Sequence, residues 1–118
     1  IKAKFVVENK IKLENLNEPK LIFSDNALEG AKAFPANVNV AAAVGLAGVG
    51  AKKTQLEIWA DPTLTKNTHT IMVKSDSSNF KIEIENIQSV ENPGTGKITA
   101  LSVVATLRGM ISSLKVGT

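Results

Sequence analysis

THTIMVKSDSSNFKIEIEN, residues 68–86, is the stretch that decides the fold. His69, Ile71 and Val73 recur with period two. So do Phe80, Ile82 and Ile84, with Lys81, Glu83 and Glu85 between them. The polar run Ser75-Asp76-Ser77-Ser78 that joins the two segments is turn chemistry. Strands over Thr68–Lys74 and Asn79–Asn86, each with one apolar and one wet face, therefore pair antiparallel. Gln55–Ala60 alternates in the same way, and the three together predict a meander.

Working outward, helical patterns interrupt the strands. Ile1, Ala3, Phe5 and Val7 alternate, with Ile11 and Leu13 continuing after Asn9, and read as strand; Lys20–Phe23 reads as a short buried strand. Ser24-Asp25 offers an N-cap for a helix over Ala27–Ala33, and Phe34-Pro35 ends it, since proline fits only the first turn of a helix. Ala36–Ala47 is apolar all round, which predicts a buried helix with Asn37 and Asn39 in its first turn. Leu101, Val104, Leu107, Ile111 and Leu114 recur at helical spacing, after Thr95 or Thr99 as cap, and predict a C-terminal helix packed on the sheet. The expected class is α+β: a mixed, largely antiparallel sheet with helices on one face, as one domain over residues 1–118.

Composition narrows the chemistry. The chain has 118 residues, 43% of them hydrophobic, enough for one core. Its net charge of +3 comes from 13 lysines and the single Arg108, spread along the chain with only 4% aromatic residues. Nucleic-acid binding asks for a focused basic stripe and stacking rings, so that class is set aside. No apolar run approaches the ~20 residues of a membrane span, and no leader opens the chain, so it reads as soluble and cytoplasmic. Without Cys there is no disulfide or thiolate nucleophile, and one His with scattered carboxylates supports no metal site. The opening on Ile1, without Met, reads as a domain cut from a longer chain.

Two glycine-rich stretches fail as phosphate cradles. Gly45-Leu46-Ala47-Gly48-Val49-Gly50 follows a helix where a dinucleotide fingerprint must follow a strand. Gly94-Thr95-Gly96-Lys97 lacks the first glycine and the final Ser/Thr of a P-loop, Glu91 and Ile98 standing there. Glu83 and Glu85 are explained by alternation as a solvated face. That leaves His69, the one side chain of a type that exchanges protons near neutral pH. It is either a general acid-base group or a hydrogen-bonded strand residue.

Three segments decide between these. Phe34-Pro35-Ala36-Asn37-Val38-Asn39-Val40-Ala41-Ala42, Ala60-Asp61-Pro62 through Asn67-Thr68-His69, and Glu85-Asn86 through Glu91-Asn92-Pro93 resemble, in this order and spacing, the C-terminal domain of the L-aspartate dehydrogenase family. The likeness runs from about Lys20 to Thr118. It implies an NAD- or NADP-dependent oxidation of L-aspartate to iminoaspartate, which then gives oxaloacetate and ammonia or supplies nicotinamide-cofactor biosynthesis. It also implies that a separate N-terminal Rossmann domain carries most of the dinucleotide site and that the protein is a homodimer. By the same resemblance His69 is the catalytic histidine and Asn39 contacts the cofactor, with Asn37, Asn67 and Thr68 as candidate substrate contacts. Asn37 and Asn67 have turn or cap chemistry as their other reading.

The chain departs from the family pattern at Ser24-Asp25-Asn26, where a Gly-Ser/Thr-Ala type segment is usual, and at Thr70, where Glu is common. Both bear on substrate preference. The rival reading is a non-catalytic dimerisation or binding module with the same fold.

Overall fold

The computed structural model describes residues 4–35, 38–87 and the helix over 97–111. It divides into two units, Ile1–Thr65 and Lys66–Thr118. The first holds α1 (Lys4–Glu8), β1 (Lys20–Asn26), α2 (Ala27–Ala33), α3 (Asn39–Ala47) and β2 (Gln55–Ala60); the second holds β3 (Thr68–Lys74), β4 (Asn79–Glu85) and α4 (Lys97–Ile111).

In the first unit β1 and β2 pair antiparallel, with Phe23 opposite Ile58 and Leu21 opposite Trp59. A bulge at Ile22 breaks the register between them. One extra residue on β1 lets both Ile22 and Phe23 turn toward the core, while Leu21 and Trp59 stay on the outer face. Val6, Phe34 and Val38 are buried at the centre, each contributing about 1.5 to 3 kcal/mol through lost water contact. Phe5, Phe23 and Phe34 meet there with ring centroids 5.0–5.6 Å apart, two of the three pairs edge to face.

The segment expected to open the fold as a strand is instead α1. Phe5 and the adjacent Val6 both point into the core, which period two forbids, and Val7 is exposed. The helix ends in a Schellman arrangement: Ile11 N–H donates to Val6 O at 3.0 Å and Lys10 N–H to Val7 O at 3.1 Å. Lys10 takes the left-handed position, φ 52°, that glycine usually fills. Ile11, expected to resume the strand, packs beside Val6 as the apolar contact of that cap.

β1 runs three residues beyond the expected Phe23 and is half-buried, so Ser24 and Asp25 are strand residues and the cap of α2 is Asn26. Its Oδ1 accepts from Glu29 N–H at 3.0 Å, and Asp25 Oδ1 holds the Asn26 amide at 2.9 Å. Ala27 and Leu28 N–H donate to the carbonyls of Thr54 and Ala51. The first-turn donors of α2 are thereby satisfied. Gly30 faces Leu56 so closely that an added Cβ would collide with it, which lets α2 lie against the sheet.

α3 was expected to be buried, and it is not. Val40, Ala41 and Val44 turn partly inward, but Leu46 is 88% exposed. An all-apolar composition set no unique inward face, and within this unit only one side of the helix finds a partner. The terminus closes with Gly50 N–H on Gly45 O, Gly50 sitting at φ 88°.

In the second unit β3 and β4 form the expected hairpin, in register from Lys74↔Asn79 to Thr68↔Glu85. β2, expected to join them as a meander, pairs with β1 instead, giving two two-stranded antiparallel sheets among the described residues. The class is α+β. On α4, Val104 and Leu107 of the expected packing stripe are exposed, as are Val103 and Met110. The side chains of Leu101 and Ile111, together with Leu114 and Thr95, lie outside the described residues.

Candidate active site

His69 is the second residue of β3 and stands directly across from Ile84. The pleat puts it on one face with Ile71, Val73, Phe80, Ile82 and Ile84, and Thr68 and Glu85 form the matching pair on the other face. The imidazole is half-buried, and among the described residues nothing hydrogen-bonds to it. Its ring nitrogens are therefore available to an incoming group, and the apolar neighbours thin the water around it.

The segment in front of His69 is tied to β4. Asn86 N–H donates to Asn67 O at 2.9 Å, Thr68 Oγ1 donates to Lys66 O at 3.4 Å, and Lys66 Nζ meets Glu85 Oε2 at 3.2 Å. Asn67, Thr68 and His69 thus stand together at one end of the hairpin, with the Asn67 side chain exposed. In the preceding turn Asp61 Oδ1 accepts from both the N–H and the hydroxyl of Thr63, at 2.8 and 2.6 Å. Asp61 shapes this loop; its carboxylate is already engaged.

Asn39 opens α3 in the other unit, and its side chain is exposed. Val38, at the N-cap, offers no side-chain acceptor, so the first N–H groups of the helix receive no cap from it, while Val38 O accepts from Ala42 N–H at 2.9 Å. An exposed amide beside uncapped N–H donors fits a carboxamide such as that of nicotinamide, which both donates and accepts. Asn37 lies outside the described residues, as do Glu91, Asn92 and Pro93. Among the described residues no group of three or more His, Asp or Glu side chains could hold a metal.

Lys66 and Glu85 were missed as a pair in the sequence, where Glu85 reads as part of a solvated face. The signal was there: a turn over 75–78 fixes Glu85 opposite Thr68, two residues from the lysine. Glu83 is likewise engaged, by Lys81 at 3.3 Å.

The family model described as aspartate dehydrogenase, C-terminal, matches residues 1–110. The match takes in the opening segment before Lys20, where the motif likeness begins, and stops at residue 110. The chain is 55% identical over 116 residues to the L-aspartate dehydrogenase of Bradyrhizobium diazoefficiens, covering 98% of this chain and 41% of the relative. It is 44% identical to that of Methanosarcina acetivorans, covering 98% and 43%. It is also similar to the crystal structure of aspartate dehydrogenase from Thermotoga maritima, with a TM-score of 0.72 and 32% identity over 87% of this chain and 40% of that one. The chain spans about two fifths of the length of the curated relatives it matches.

Proposed function

From the premise that this chain belongs to the family of aspartate dehydrogenase C-terminal domains, we propose that it is the catalytic and dimerisation half of an NAD- or NADP-dependent L-aspartate dehydrogenase. The family match over residues 1–110 carries this reading. The half-buried, unbonded imidazole of His69 supports it. A nicotinamide dinucleotide, when bound, accepts the hydride that leaves the α-carbon.

The chain's own residues manage the proton and the fit. Hydride can leave only when the substrate nitrogen has a free lone pair, so His69 first takes a proton from the ammonium group; loss of hydride then leaves the protonated imine, which gives iminoaspartate on releasing its extra proton. Transfer of this kind contributes about 10² to 10⁴ in rate. Ile71 and Ile84, beside and across from His69, limit competing water. Asn67 and Thr68 supply polar groups next to it for a substrate carboxylate, and Asn39 holds the nicotinamide carboxamide. An N-terminal Rossmann domain completes the dinucleotide site. A second copy covers the apolar hairpin face, where Phe80 and Ile82 are 49% and 44% exposed. No described helix is long and apolar enough to cross a membrane; the reading places the enzyme in the cytoplasm, where its product hydrolyses or enters cofactor biosynthesis.

The test is His69→Ala in the full-length parent, assayed with L-aspartate and each dinucleotide. kcat should fall by roughly 10² or more while the melting temperature holds. A variant that melts early yet oxidises aspartate at near wild-type rate would make His69 a strand residue and overturn its catalytic assignment.

A further inference from the structure

Glu85-Asn86 belongs to the segments that carry the family resemblance, yet neither residue has a part in the chemistry above. Glu85 stands opposite Thr68, on the face away from His69, and from there its carboxylate takes Lys66 Nζ at 3.2 Å. Asn86 N–H on Asn67 O is the backbone bond just beyond the ladder at this end. Strand ends fray because each outer bond is supported from one side only. His69 is two residues inside that end.

We propose that Glu85 is a positioning residue for aspartate oxidation: by gripping Lys66 from the face opposite His69, it holds Asn67, Thr68 and the start of β3 in place. This rests on the dehydrogenase reading above. Both partners are at least half open to water, with side-chain exposures of 50% and 58%, so the pair adds little to global stability. A small displacement of a catalytic group is costly all the same: about 1 Å can cost 10² in rate. A contact too weak to register in unfolding can therefore register in turnover.

The experiment uses the full-length protein with Glu85→Gln, Lys66→Met and the exchanged pair Lys66→Glu with Glu85→Lys. Each single change is expected to lower kcat/KM for aspartate about threefold to tenfold with an unchanged melting temperature, and the exchange to recover most of the loss. The deficit of Glu85→Gln relative to wild type should shrink as salt rises, because salt weakens the wild-type pair. Hydrogen exchange at the Asn86 amide, read independently of activity, should quicken about fivefold in Glu85→Gln. Unchanged exchange together with unchanged kcat/KM overturns the proposal. So does a loss confined to Lys66→Met that the exchanged pair fails to rescue, since the lysine would then act on substrate directly. If Asn86 exchange quickens but wild type itself does not oxidise aspartate, the clamp stands and the dehydrogenase reading falls.

Discussion

The two units are built on antiparallel strand pairs of similar length, and among the described residues only the first encloses a core. Around β1 and β2, helices α1, α2 and α3 bury Val6, Ala27, Phe34 and Val38 and bring three phenylalanine rings together. Around β3 and β4 no described residue is buried, although the hairpin carries six residues with His69 on one apolar-lined face. The difference is one of division of labour. The first unit is held by its own packing, whereas an isolated hairpin is marginal in water and needs a third layer. Among the described residues the hairpin therefore leaves its apolar face, with His69 on it, partly open to water.

The strongest test of this contrast is Phe34→Ala. Removing the central ring should cost about 3 to 5 kcal/mol, read by denaturant unfolding, and hydrogen exchange should rise first at β1 and β2. If the β3–β4 amides lost protection equally, the two units would be one cooperative body and the contrast would collapse. Gly30→Ala comes next. The added methyl meets Leu56, and the net loss after the helix-propensity gain should be about 1 to 2 kcal/mol; a stabilised variant would mean that Leu56 turns aside freely. Asn26→Ala should cost about 1 kcal/mol by releasing the Glu29 N–H, a loss that Asn26→Asp should largely spare. The smallest effect is expected from Ile82→Thr in this 118-residue chain, within about 0.5 kcal/mol at a half-exposed site. Light scattering on that variant sharpens the comparison: a second copy on the hairpin face should be lost, and with it any rise of the melting temperature with protein concentration.

Local chemistry made much of this legible. The bounds of α2, β2 and β3 match the periodicity, and β4 matches to within its last residue, because turns and period two act over a few residues. α1 was misread for a reason of the same scale. A five-residue run such as Lys4–Glu8 satisfies both periods, and what chose the helix was the packing of Phe5 against Phe23 and Phe34, far along the chain. The partner of β2 was out of reach likewise, since pairing with β1 is a long-range choice that alternation alone does not record. Within the site, His69 and its two predecessors were legible as a group because they are contiguous and their strand is local. Asn39 was legible only singly, as the head of a helix in the other unit.

The Phe5 contact has a consequence for the order of events in folding. Five residues make about one helical turn, far too few to persist alone in water, so α1 can exist only while docked. Its dock includes Phe34, which the ribosome adds only after the whole of β1 and α2. The segment made earlier must wait, unstructured, for the one made later.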